Sequence, residues 1–355
     1  MHTIGAVLSS ALLVAVSASA AAAPKIYIPL GDSGQIQIVD TASDRIVGLV
    51  EDVGKAHGLA VTPDGRTLVA GSYAEEPVGT VNTPPRPAGV SEAEHAQHHA
   101  IPSGDAKAQA APSGTSYVSV VDTAARKVVR RIAVRGAVHH VAISPDGKLA
   151  VTTHPGRGGI SAIDLERFAV IAEVPTGAAP NYAAFSPDGR KVYVSNTGDA
   201  SVNEVDVATW STVRRFATGK GPEHVVMSAD GGTLYTNNVA DGTASAIRLA
   251  EGRVTRTFAI GAAPHGLDLS GDGATLFATS QGDNRLVAVS LASGETRAMA
   301  LGPAPYHLTA VHGAGTLYVS SRAENRIWII DQRTLETRGE ISIGGIGHQM
   351  ALAAR

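Results

Sequence analysis

The chain contains no cysteine, which excludes a disulfide framework and any thiolate metal site. Aromatic residues are 4% of the 355 positions, and 29 Lys and Arg stand against 32 Asp and Glu. With neither stacking platforms nor a basic stripe, nucleic acid is excluded as a partner. The longest apolar run, residues 4–16, is too short for a membrane span, which takes about 20 residues. Followed by Ser17-Ala18-Ser19-Ala20, it reads as a secretory signal cleaved near Ala20, although no Lys or Arg precedes it. The expectation is a periplasmic or secreted monomer made of a signal peptide, residues 1–20, and one domain, residues 21–355.

What the chain has is a repeat. His57, His139, Asn181, Glu223, His265, His307 and His348 recur at steps of 82, 42, 42, 42, 42 and 41 residues, the long first step holding an insertion. A period of this length marks a repeat architecture. Within residues 181–220 the chain reads NYAAF, a Ser186-Pro187-Asp188-Gly189 turn, KVYVSN, a Gly198-Asp199 turn, SVNEVD and TVRRFATGK. Short runs rich in Val, Tyr, Phe and Thr between turn residues predict four strands, A to D, per unit. Similar turns recur at residues 62–65, 144–147, 228–231 and 270–273, so their Asp residues are assigned to hairpin chemistry, as are Asp40, Asp122, Asp164, Asp206 and Asp331 after strand C. Near the N-terminus strands B, C and D appear without a strand A, and the missing strand is read at residues 348–352. Pairing the two ends closes an all-β, seven-bladed propeller of four-stranded antiparallel blades and removes its open edges.

The segments AAPNYAAFSPDGRKVYVSNTGDASVNEVD and TLYVSSRAENRIWIID resemble the YVTN-type propeller repeat, over nearly the whole chain except the insertion. The resemblance implies the fold but not one function, since such propellers serve as surface, binding and enzyme-like proteins. It also implies that strand A is innermost and that the D–A and B–C loops share one face. The recurring position would then ring one mouth of the central channel. His140 and His224 follow it by one residue, and His154 lies on a B–C loop of the same face. Eleven of the thirteen histidines map there; His2 leaves with the signal and His312 sits on an A–B turn of the other face.

The insertion, about 74–115, splits strands B and C of the second blade and is rich in Pro, Ala and Gly. Inside it Ser91-Glu92-Ala93-Glu94 reads as a capping box that starts a short helix. On that helix His95 shares a face with His98 and His99, a spacing that presents two imidazoles to one ion.

Three readings follow. In the first, the mouth binds a transition metal, copper favoured and zinc or iron also suited to imidazole, through His57, His139, His265, His307 and His348. His95, His98 and His99 would close over it, and the neighbouring blades make His57, His139 and His348 the favoured sector. A metal-containing cofactor would draw on His140, His154, His224 and Asn181. In the second, the histidines hold neighbouring blades together in a scaffold for a protein partner. In the third, a small molecule such as a lactone or cyclic peptide is turned over, with Glu223 as the base. By resemblance, the propeller of nitrous oxide reductase carries copper on histidines at one channel end, and carotenoid cleavage oxygenases hold iron on four axial histidines. This chain lacks the cysteine-bearing copper domain of the former and the Cys-Cys-His attachment of covalent haem. A non-covalent haem remains open by resemblance to nitrite-reductase propellers, which have eight blades.

Overall fold

The computed structural model describes residues 23–76 and 114–353. They form seven four-stranded antiparallel sheets, each a blade, arranged in a ring. The inner strands are Ala351–Ala353, Ala56–Val61, Val141–Ile143, Pro180–Phe185, Pro222–Met227, Pro264–Leu269 and Pro305–Val311. The first blade is completed across the termini, with Lys25, Ile26 and Tyr27 paired to Ala353, Leu352 and Ala351. The expected closure is therefore present, and the ladder that would otherwise end in unpaired backbone is continuous. The expected signal peptide, most of the insertion and His95, His98 and His99 lie outside the described residues. Among those described, no helix is long and apolar enough to cross a membrane.

The hairpin chemistry is as the turns predict. In the second blade Thr62 Oγ1 donates to Asp64 Oδ1 at 2.6 Å, Arg66 N donates to the same oxygen, and Gly65 takes φ 71°. That φ lies in the left-handed region, which glycine adopts without penalty. After strand C, Asp164 accepts from the amides of Glu166 and Arg167, and Asp331 from those of Arg333 and Thr334. These aspartates hold turns.

Stability comes from apolar layers between successive blades. Ile36, Ile38, Leu59, Leu68 and Val121 fill the space between the first and second blades. Ile26, Ile28, Tyr318, Ile329 and Met350 do so between the seventh and first, across the seam. Each buried aliphatic side chain contributes on the order of 1.5–3 kcal/mol, so the ring is held by all seven interfaces rather than one central core.

Two details position the site. Asp199, Asp241 and Asp283, on B–C loops, accept from the amides of Ala178, Lys220 and Ala262 on D–A loops, so both loop sets share one face. Several inner strands also start with a bulge. The pairing jumps from Pro180 to Ala183, from Pro222 to Val225, from Pro264 to Leu267 and from Pro305 to Leu308. A bulge breaks the alternation of side chains along a strand. Two consecutive residues can then both turn to the axis.

Candidate functional site: a buried histidine cluster at one mouth

The effect of the bulge is clearest in the fifth blade. Glu223 Oε2 lies 2.9 Å from His265 Nδ1, while its neighbour His224 brings Nε2 to 3.0 Å from His307 Nδ1. His224, His265 and His307 each offer a ring nitrogen within 4.8 Å of the others, and all three are buried. Their ring centres are 4.6, 4.7 and 4.9 Å apart. Nδ1 of His224 and Nε2 of His307 have no hydrogen-bond partner among the described residues. Two buried imidazoles with open lone pairs or protons are costly unless something binds them.

The other ring members are placed differently. His57 Nδ1 is 2.9 Å from the carbonyl of His139, and His139 Nδ1 is 3.1 Å from that of Asn181. Each of these rings reaches the backbone of the next blade. His57 also lies between His139 and His348, both with ring centres 4.5 Å away, and 6.4 Å from His307. His348 is 6.4 Å from His307, so the two groups adjoin across the mouth. Asn181 is buried, and its side-chain oxygen has no partner among the described residues.

His140 is tied in place by two bonds. Its Nδ1 accepts from Ala183 N at 3.2 Å, and its Nε2 is 2.6 Å from Gln349 Nε2. Its ring stacks on Tyr182 at 3.3 Å, and Tyr182 in turn lies 4.4 Å from His224. His154 stands apart from the cluster and is fully engaged. Nδ1 faces the carbonyls of Gly136 and Ala137, and Nε2 faces the hydroxyls of Thr152 and Ser161 at 2.9 Å each.

Burial sets the protonation states. His224 is pushed down to about 3 by desolvation, with His139 adding repulsion. His140 and His307 are held well below the ordinary imidazole value for the same reason, reinforced by neighbouring histidines. These rings are neutral at pH 7, the form that binds metals. Glu223 is pushed up to about 8 by burial, with the Arg322 guanidinium acting the other way.

Three further side chains complete the mouth. Tyr306, fully buried, stacks on His265 with centres 4.1 Å apart and planes 12° apart, and meets His307 edge-on at 4.2 Å. Tyr73 stands 5.5 Å from His57, and the Arg322 guanidinium lies 5.6 Å from the Tyr306 ring centre. Tyr306 directly follows Pro305, at the position that is Asn181, Glu223 and His265 after Pro180, Pro222 and Pro264 in the three preceding blades. That departure from the repeat is the sequence signal that would have singled it out. Asp268 is another, standing where Ala60, Ala142 and Ala184 occur; its carboxylate accepts from the amides of Leu269 and Ala310.

The comparisons with known proteins agree on architecture. A sequence profile of the YNCE-like beta-propeller matches residues 167–260, which span the fourth and fifth blades. The chain folds as a seven-bladed β-propeller. No curated protein matches it. Among solved structures, this propeller is similar to hydrazine synthase of Kuenenia stuttgartiensis, with 20% identity over 84% of this chain and 89% of that one and a TM-score of 0.65. It is also similar to a functionally unknown protein of Desulfotomaculum acetoxidans, with 14% identity over 92% and 99% and a TM-score of 0.69. A putative 6-phosphogluconolactonase of Bacteroides fragilis gives 15% identity over 94% and 99% and a TM-score of 0.71. At these identities the likeness is one of fold.

Proposed function

We propose that this propeller binds one transition-metal ion, copper favoured, at the mouth of its channel through His224, His265 and His307. The observation that carries the reading is the convergence of three buried ring nitrogens within 4.8 Å. Imidazole nitrogens about 2.0–2.1 Å from a tetrahedral ion stand roughly 3.3 Å apart. The 3.0 Å between His224 Nε2 and His307 Nδ1 is close to that spacing, and a ring nitrogen of His265 lies within 4.8 Å of the other two ligand atoms. Three neutral nitrogens without thiolate suit copper, zinc or ferrous iron, and the general affinity order places copper first.

The neighbouring groups have roles in holding the ion. Glu223, against His265 Nδ1, takes the second-shell place that orients a ligating imidazole through its far nitrogen. Tyr306 packs flat on the same ring and fixes its plane. When bound, the ion would supply Lewis-acid or one-electron chemistry. The apolar N-terminal run supports export, to a compartment where such a protein stores, delivers or uses copper.

A second reading is favoured locally by His57 and His139. Each reaches a backbone carbonyl of the next blade, which supports a structural role in joining blades two, three and four. A scaffold function for a protein partner is compatible with both.

The test is metal content by mass spectrometry on the untagged full chain purified from its native compartment, together with copper titration of the metal-free protein. About one equivalent is expected, and none in a His265→Ala, His307→Ala double variant. Full stoichiometry in that variant would remove the assignment, and no uptake by the parent would leave the scaffold reading.

A further inference from the structure

The mouth of the cluster carries a positive charge, that of Arg322, which forms no ion pair among the described residues, although it acts at longer range on the buried Glu223 carboxyl. Arg322 is the residue directly after strand B of the seventh blade, where its amide donates to Ala304 O. The corresponding residues, identified by the same backbone bond, are Tyr73, Thr197, Val239 and Gln281, all uncharged. The guanidinium lies over Tyr306, half-buried, and forms no ion pair or side-chain hydrogen bond among the described residues. Two nearby arginines are paired. Arg285 pairs with Asp283 at 2.9 Å, and Arg326, four residues on, pairs with Glu324 and Glu340.

A lone surface arginine is ordinarily satisfied by water. This one lies over the ring that stacks on His265 and meets His307 edge-on, one side chain removed from two of the three proposed ligands. Neutral imidazoles leave the charge of a divalent ion undiminished, and one carboxylate, Glu223, is near them. With Arg322 added, the site stays positive even when Glu223 is ionised. Excess positive charge in a desolvated site is unfavourable until an anion joins it. A planar guanidinium is also the side chain best shaped to bind a small oxyanion or carboxylate through paired N–H donors.

We propose that Arg322 anchors a small anion, of the carboxylate or oxyanion class, that enters through the mouth and occupies the open position of the metal held by His224, His265 and His307. The inference rests on the metal reading and extends it to the ligand class. Binding exchanges a metal-bound water for the anion and needs no redox step.

The experiment uses the copper(II)-loaded full chain with azide as the probe, read by the anion-to-copper charge-transfer absorption and by electron paramagnetic resonance. Arg322→Gln and Arg322→Lys are compared with the parent. Loss of a charge-assisted contact predicts azide affinity weaker by about ten- to a hundredfold in Arg322→Gln, and by less in Arg322→Lys, which keeps the charge. Copper stoichiometry stays the same in all three, which shows the fold and metal site intact. Azide that leaves the parent spectrum unchanged, or binds Arg322→Gln within twofold of the parent, overturns the anion assignment while leaving the metal site standing. Absence of copper uptake in the parent overturns both.

Discussion

Lowering the pH of the metal-free protein is the perturbation most directly tied to the buried cluster, and His224 sets its size. Its folded value is about 3 against 6.5 for an exposed imidazole, with burial as the main cause. Above 6.5 both folded and unfolded chains hold this ring neutral. As the pH falls below that value the unfolded chain takes up a proton that the folded one refuses until about 3, so folding stability is lost on acidification. At about 1.4 kcal/mol per unit, moving from about pH 7.5 to about pH 5 removes roughly 2 kcal/mol through this residue alone. His307 and His140 act with the same sign, again because burial disfavours their charged forms. Glu223 opposes them. Its folded value, about 8, lies above the ordinary 4.5, so its contribution grows on acidification, by about 3 kcal/mol over the same window. Because the parent curve mixes these signs, the informative measurement is a difference. Urea unfolding of metal-free parent and His224→Gln is compared at the two pH values. Gln keeps a hydrogen-bonding group but cannot titrate, so the variant should lose about 2 kcal/mol less than the parent. Equal losses, within about 0.5 kcal/mol, would refute the claim that His224 is buried and neutral.

Two further predictions separate site from scaffold. His154→Ala strands the hydroxyls of Thr152 and Ser161 and the carbonyls of Gly136 and Ala137, so it should lower unfolding free energy by about 2–4 kcal/mol with copper stoichiometry unchanged, read by urea unfolding and metal analysis. A loss of copper in that variant would mean that the cluster extends to the B–C loop of the third blade. Removing residues 351–355 exposes the edge of Lys25–Pro29 and opens the ring at its seam, and size-exclusion chromatography should show aggregated or higher-order species. A monodisperse folded monomer would show that the closing strand is dispensable.

The fold was legible because a propeller repeats its own grammar. Asp64, Asp146, Asp188, Asp230 and Asp272 each accept from a Ser or Thr hydroxyl two residues before, in identical turns, and that identity is visible in the letters. Closure was legible from a missing strand at one end and a spare one at the other. The site was legible only in part. The recurring position led to His265 and His307, but His224, one residue after it, belongs with them in space. Strict alternation would send consecutive residues to opposite faces, and the bulge after Pro222 that cancels it has no letter of its own. Spacing also could not distinguish His265, whose Nδ1 faces a carboxylate, from His57, whose Nδ1 faces a backbone carbonyl.

Departures from the repeat carry more functional information than its agreements. A residue common to several blades answers a need that every blade has, such as a turn or a close approach between strands. Gly58 and Gly266 are of this kind, since a Cβ on either would come within 2.6 Å of the backbone of the next blade. Tyr306 and Glu223, at a position that is histidine in other blades, and Arg322 among neutral loop residues answer no need of the ring. All three gather around His265 and His307, within a few ångströms of the ring nitrogens that the repeat brings to the axis. Three such departures, one on the fifth blade and two on the seventh, would scatter around the mouth if they were neutral drift. Their concentration on one sector is the reason to look for the bound ion there and not on the His57, His139 and His348 side.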